Sequence, residues 1–236
     1  MKALVTGASS GIGAAICNAL VDASFQVYGI ARTKLHPTGL SKHVVYTSVD
    51  ISDSTKLDIY LNQLVSDRRF DLLILNAGIT GDYKHFSELK LSEMKALFDV
   101  NFFANIQILS RLEELLAEKA SVVVISSNTL KFQGSSHNLP YSASKAALES
   151  AALSVAKTYA RPPHSFRINI VRPGLIDTGL SDKTPGYSAT DFKKRSELIP
   201  AGRVGETSDI INIIEFLANP RSDFIMGQVF SVAGGE

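Results

Sequence analysis

Apolar residues fall along this chain in two alternating rhythms. Short, mostly apolar runs at Lys2–Thr6, Phe25–Ala31, His43–Val49, Phe70–Leu75, Ser121–Ser127, Phe166–Val171 and Gln228–Val232 read as strands. The unbroken ones, such as Phe70–Leu75, suit strands covered on both faces, since a strand with one wet face would alternate. Between the runs, apolar positions recur at helical spacing. They fall at Ile12, Ala15, Ile16, Ala19, Leu20 and Ala23; at Leu57, Tyr60, Leu61 and Leu64 within Ser54–Ser66; and at Met94, Leu97, Phe98, Ala104 and Ile108 in one long helix from Ser92. A further helix opened by Tyr141 carries Leu148, Ala152, Val155 and Tyr159 on one face, and a last one, capped by Thr207 or Ser208, buries Ile210, Ile211, Ile214 and Leu217. Strand and helix in alternation predict an α/β fold: a doubly wound parallel sheet of about seven strands with helices on both faces. The whole chain, 1–236, reads as a single domain. Residues 179–200 lack clean periodicity and mix Lys, Asp, Ser, Tyr and Pro, as expected of a mobile segment covering a pocket.

Composition narrows the partners. With 20% charged residues and a formal net charge of +1, nothing suggests a nucleic-acid footprint or an electrostatic membrane anchor. No apolar run approaches the ~18 residues of a membrane span, and the first glycines interrupt the N-terminal run before a signal segment forms. A cytoplasmic protein acting on small molecules is expected, with copies of itself as the other partner. The single cysteine, Cys17, excludes an intramolecular disulfide and lies on the apolar stripe of the first helix, as a small hydrophobe would.

The candidate chemistry gathers where strands end. Gly7, Gly11 and Gly13 follow the first strand and open the first helix. Without Cβ atoms they permit φ > 0 and close approach of an anion, while the unpaired N–H groups of the helix N-terminus point at it. This is a pyrophosphate cradle. In a dinucleotide fold, an acidic residue ~20 positions beyond the glycine turn holds the ribose 2′-hydroxyl. Here that count reaches Ala31, followed by Arg32, whose guanidinium suits a 2′-phosphate and favours NADP(H) over NAD(H). The fourth strand opens into Asn76-Ala77-Gly78, and Asn101 falls on the apolar stripe of the long helix, where a polar side chain needs partners. Tyr141 and Lys145 lie one helical turn apart, so the ammonium can approach the phenol and lower a pKa that is ordinarily about 10. His137 lacks a second ligand nearby and reads as loop surface; no metal site is expected.

Taken in order, TGASSGIG at Thr6–Gly13, Asp50, NAG at Asn76–Gly78, Asn101, the pair Ser126-Ser127, YSASK at Tyr141–Lys145, PGLIDT at Pro173–Thr178 and the GRVGETSD segment resemble the short-chain dehydrogenase/reductase family of the classical type. The resemblance spans nearly the whole chain and implies a Rossmann-like fold. It implies coenzyme contacts from Gly7, Ser9, Ser10, Gly11, Ile12 and Gly13, from Arg32 and Thr33, and from Asp50 near the adenine with Ile51 beside it. Asn76 would support the central strands, Ala77, Gly78, Pro173 and Gly174 would join the coenzyme set, and Ile176 and Thr178 would sit near the nicotinamide amide. At the reacting centre it implies that Tyr141 exchanges a proton with the carbonyl oxygen, Ser127 holds that oxygen, Lys145 bonds the nicotinamide ribose and biases Tyr141, and Asn101 anchors a water. The family is commonly dimeric or tetrameric, and the helices from Ser92 and Tyr141 suit pairing with symmetry mates.

One departure stands out. Counting back from the tyrosine as in comparable members reaches Asn128 in place of the second serine. Either the loop from Asn128 to Pro140 carries one extra residue and leaves Ser127 in place, or the carbonyl partner is a different side chain. The insertion is preferred, because Ser126-Ser127 still closes the apolar strand and loops absorb insertions easily. The expected activity is interconversion of a carbonyl and a secondary alcohol with NADP(H). The rival readings are a 3-oxoacyl-carrier reductase, for which Lys183, Lys193, Lys194 and Arg195 could receive an acidic carrier, and a catalytically idle nucleotide-sensing module.

Overall fold

The computed structural model describes residues 1–65, 69–161, 163, 165–178, 185–186 and 188–236. The apolar runs form β1 (Lys2–Thr6), β2 (Gln26–Ala31), β3 (Val45–Ser48), β4 (Phe70–Leu75), β5 (Leu116–Ile125), β6 (Arg167–Pro173) and β7 (Val229–Val232). These pair in parallel in the order β3-β2-β1-β4-β5-β6-β7. The chain thus steps outward from β1 in one direction, then from β4 in the other. At that reversal the crossovers part and leave a crevice beyond the strand C-termini.

Helices α1 (Gly11–Asp22), α2 (Ser54–Val65), α3 (Leu91–Phe98), α4 (Ala104–Leu109), α5 (Leu112–Leu115), α6 (Leu139–Tyr159), α7 (Ala189–Glu197) and α8 (Thr207–Ala218) complete the layers. Adjacent strand residues serve opposite faces, as a period of two demands. Leu4, Leu73 and Val122 pack with Leu57, Leu61, Ile108 and Leu148. Their neighbours Val5, Ile74 and Val123 pack with Ile16, Leu20, Ile210 and Ile214 on the other side. Each such aliphatic side chain contributes ~1.5–3 kcal/mol on burial, so the sheet is anchored from both faces.

Several elements differ from the sequence expectations. The long helix from Ser92 is interrupted by a π-helical turn at Asp99–Phe103. There the Asn105 amide donates to the carbonyls of Val100 (3.2 Å) and Asn101 (3.0 Å), taking acceptors that the helix ladder would otherwise use. The loop after β5 contains a 3₁₀ helix at Asn128–Phe132, which ends at Gln133 and Gly134, both at positive φ (61° and 75°). Helix α6 starts at Leu139, two residues before Tyr141, because Pro140 suits a first turn. Helix α8 is preceded by Glu206, whose backbone N–H donates to Asp209 at 2.8 Å, so neither Thr207 nor Ser208 provides the cap.

The expected covering segment at 179–200 includes a helix, α7, whose start is fixed by reciprocal Ser188–Asp191 hydrogen bonds. None of its residues is buried, so no apolar stripe announces it. Residues 179–184, with Lys183 among them, and residue 187 lie outside the described part, as does Ser66 at the expected end of α2.

Cys17 has no exposed surface, and burial pushes its thiol up to about 12. Native protein should therefore resist a thiol-specific disulfide reagent at pH 8 and react stoichiometrically once unfolded in urea. Prompt labelling of the native chain would contradict the packing of α1 described here.

Candidate active site

The crevice begins at the glycine turn between β1 and α1. The Thr6 hydroxyl accepts from the backbone N–H groups of Asn76 and Ala77, both at 3.0 Å, and the Asn76 amide donates to the carbonyls of Thr6 (3.0 Å) and Gly7 (3.3 Å). These bonds draw the ends of β1 and β4 together. A Cβ on Gly13 would lie 2.2 Å from the Gly7 carbonyl oxygen, and one on Gly7, at φ +71°, would lie 2.8 Å from the Ala77 Cα. Glycine is needed at both positions for steric reasons before any ligand is considered. Thr178 closes the turn from the β6 side, with its Cβ 3.3 Å from the position a Cβ on Gly11 would take.

From this turn a cleft of about 1210 Å³ runs across the C-terminal ends of the strands. That exceeds the ~300–1,000 Å³ of a small-ligand pocket and leaves room for a dinucleotide with a second molecule beside it. Gly7, Ser9, Ser10, Gly11, Ile12, Gly13, Arg32, Asp50, Ile51, Asn76, Ala77, Gly78, Pro173, Gly174, Ile176 and Thr178 all line it, as do Ser127, Tyr141 and Lys145. Two candidates do not. Thr33 is exposed outside it, its carbonyl accepting the Tyr46 hydroxyl at 2.8 Å, and Asn101 lies fully buried.

At one end of β2, Arg32 is exposed and lines the cleft without a carboxylate ion pair among the described residues. Asp50, at the end of the β3 segment, accepts from the Ser52 backbone N–H at 3.1 Å and its hydroxyl at 2.7 Å. The residues present fit a dinucleotide: an open turn at a helix N-terminus, a guanidinium at the ribose end and a cleft of matching size.

The opposite end holds the titratable groups. Tyr141, half-buried in the first turns of α6, lines the cleft together with Ser127, just beyond the end of β5. Ser127 also accepts from Thr129, through its hydroxyl at 3.0 Å and its backbone N–H at 3.3 Å. Lys145, 3% exposed, donates its Nζ to the Ile125 carbonyl at 2.9 Å. A Cβ on Gly78 would come within 3.1 Å of that Nζ, so the glycine leaves the space the ammonium occupies.

Burial pushes Tyr141 above the usual tyrosine range, and the Ser127 hydrogen bond opposes the rise. This corrects the expected lowering by Lys145: in the structure the phenol is held in its neutral form. Burial also depresses Lys145, to about 8, which leaves it cationic near neutral pH. Asn101 is a fully buried amide whose two polar atoms both find partners. Its Oδ1 accepts from the Ile79 N–H at 2.8 Å, and its Nδ2 donates to the Ile79 carbonyl at 2.9 Å and to Ser144 Oγ at 3.0 Å. It thereby ties the segment following β4 to the turn of α6 that carries Lys145.

Other lining residues escaped sequence reasoning. Tyr83, Phe132 and Leu198 form apolar walls at the Tyr141 end, and Phe132 and Leu198 remain 52% and 71% exposed. Tyr83 stacks on His137 (5.3 Å), and its N–H donates to the Pro185 carbonyl at 2.7 Å, joining two loops. His137 itself does not line the cleft, and no metal-binding cluster occurs among the described residues. Lys194 and Arg195 reach the cleft while Lys193 does not, and Arg195 pairs with Glu236. Asn128 is 1% exposed with both amide atoms unpartnered, in a loop whose polar composition carries no signal of burial.

The fold and cleft define a nucleotide-binding, doubly wound α/β oxidoreductase. Residues 7–236 match a family model described as enoyl-(acyl carrier protein) reductase. The chain is 30% identical to the 3-oxoacyl-[acyl-carrier-protein] reductases FabG of Rickettsia bellii, covering 99% of this chain and 95% of that protein, and of Aquifex aeolicus, covering 98% and 95%. Among solved structures, it resembles a dehydrogenase/reductase from Sinorhizobium meliloti (26% identity, 99% and 94% of the two chains, TM-score 0.88). It also resembles the ligand-free aldohexose dehydrogenase AldT of Thermoplasma acidophilum (25% identity, 99% and 92%, TM-score 0.85). The chain belongs to the short-chain dehydrogenase/reductase family. It is an oxidoreductase that interconverts carbonyl and alcohol groups on small molecules with a nicotinamide coenzyme. Among the described residues, no helix is long and apolar enough to cross a membrane.

The depressed Lys145 has a measurable consequence. Between about 8 and the ordinary 10.5, the unfolded chain holds a proton there that the folded chain has released, so folding gains stability as pH rises through that window. Urea denaturation of the parent minus that of Lys145→Met should show this rise. A flat difference across the window would refute the assigned burial.

Proposed function

We propose that this chain is an NADPH-dependent carbonyl reductase in which Tyr141, Ser127 and Lys145 form the proton-handling centre. The observation that carries the reading is that Tyr141, Ser127 and the buried Lys145 ammonium line one cleft with the glycine turn. A bound nicotinamide coenzyme supplies the hydride for such a reaction. The protein then needs to orient the carbonyl, stabilise charge on its oxygen and deliver one proton.

Ser127 donates a hydrogen bond to the carbonyl oxygen, and Tyr141 transfers its phenolic proton there as negative charge develops. A neutral phenol is the form that reduction requires, and burial maintains it. Lys145, cationic near neutral pH, holds the nicotinamide ribose and favours the phenolate left behind. Asn101 supports this centre from behind, through Ile79 and Ser144. Arg32 confers the preference for the 2′-phosphate.

The reading carries with it one domain over residues 1–236, a movable cover formed by the 179–200 segment, a cytoplasmic setting and a homodimer or homotetramer. A second reading, reduction of a 3-oxoacyl group on an acidic carrier, is favoured by the names of the relatives and by Lys194 and Arg195 at the cleft. A purely nucleotide-sensing role leaves the buried Lys145 beside Tyr141 and Ser127 in the cleft without a purpose.

Arg32→Ala should raise the Kd for NADPH about 10- to 100-fold, as loss of a charge-assisted hydrogen bond does, and leave NADH within a few-fold. Equal losses for both coenzymes would remove the 2′-phosphate assignment. Turnover should first be sought by NADPH consumption over ketones, aldehydes, sugars and acyl thioesters. Tyr141→Phe should then lower kcat about 10²- to 10⁴-fold on the best of these, with NADPH binding retained. A mutant as active as its parent would remove Tyr141 as the proton donor, and no turnover by either across the panel would favour the sensor.

A further inference from the structure

Helix α6 carries a second buried ionisable side chain that the proposed reaction does not use. Glu149 is 7% exposed and follows Lys145 by one helical turn. Side chains at that spacing meet on a helix surface, and away from water the attraction between an ammonium and a carboxylate grows severalfold. An unoccupied carboxylate at Glu149 would draw Nζ of Lys145 along the helix, away from the phenol.

The carboxylate is occupied instead. Arg172, in β6 just before Pro173, donates Nε to Glu149 Oε2 at 3.0 Å and Nη2 to Oε1. Ser126 donates its hydroxyl to Oε2, also at 3.0 Å. Lys145 meanwhile donates to the carbonyl of Ile125, the residue immediately before Ser126. Ammonium and carboxylate are therefore tied to adjacent residues at the end of β5, each with its own partner. A bidentate guanidinium suits this task because it engages both oxygens at once.

We propose that Arg172 is a positioning residue for Lys145: by holding both oxygens of Glu149, it keeps that carboxylate from capturing the ammonium, which stays directed at the cleft. The inference rests on the reading of Lys145 given above. It assigns a role in the reaction to a pair that otherwise looks like an ordinary strut between α6 and β6.

The test compares the parent with Arg172→Met, Arg172→Lys and the double variant Glu149→Gln/Arg172→Met, which has no carboxylate left to capture Lys145. Arg172→Met should lower kcat about tenfold or more on the best panel substrate and raise the NADPH Kd, read by fluorescence titration, about fivefold. Arg172→Lys should keep most of the activity, and the double variant should return kcat and Kd to within about threefold of the parent. Thermal melts separate this from a strut, which would lower Tm without moving the NADPH Kd of the folded fraction. A folded Arg172→Met with parental kcat and Kd, or a double variant as impaired as Arg172→Met, would overturn the proposal. Should Arg172→Met fail to fold, Arg172→Gln carries the same comparison. Tyr141→Phe, run in parallel, tells the two failures apart: if it is inactive while Arg172→Met is fully active, only the positioning role is lost.

Discussion

The structure depends above all on how closely the ends of β1 and β4 approach one another. Thr6 and Asn76 stitch them together through a hydroxyl and an amide, and Gly7 and Gly13 remove the atoms that would hold them apart. The same approach exposes the N-terminus of α1 to the crevice, so the groups that fix the sheet's centre also shape its anion site. Polar side chains do this because the apolar layers end there. Beyond the last buried strand residues only hydrogen bonds can hold two diverging chains in register.

At the other end of the cleft, burial sets the electrostatics. The same loss of solvent acts in opposite directions on the two groups of α6, holding Tyr141 neutral and easing the proton off Lys145. Near neutral pH the phenol stays neutral, and Lys145, at about 8, stays mostly cationic despite its shift. The Ser127 hydroxyl opposes the rise on the phenol, and the Ile125 carbonyl holds the ammonium in place.

Three supports surround this pair, and each crosses between elements distant in sequence. Asn101, projecting from the π-helical turn, bridges to Ile79 and Ser144, and the Asn105 amide donates to two carbonyls of that turn. Glu149 joins α6 to β5 and β6 through Ser126 and Arg172. Tyr83, His137 and Pro185 connect the loops above the cleft. A π-helical turn beside a reactive centre is a recurrent device, because the extra residue re-aims a side chain without ending the helix.

What the sequence by itself determined is whatever depends on local pattern. Apolar runs and helical stripes specify the seven strands and most helices, since each such element must bury its own face, and the glycine spacing after β1 specifies a turn that only glycine can make. Tyr141 and Lys145 were legible because four residues on a helix are neighbours wherever the helix lies. Only the tertiary structure decided the rest. Helix α7, with no buried residue, carries no apolar stripe, and the π-helical turn gives no signal in the pattern of apolar positions. The burial that raises Tyr141 instead of lowering it comes from elements packed around it, and so does the pairing of Glu149 with Arg172 across 23 residues. Periodicity reports which face of an element is dry; it does not report which partner a buried polar group will meet there, because that partner arrives from elsewhere in the chain.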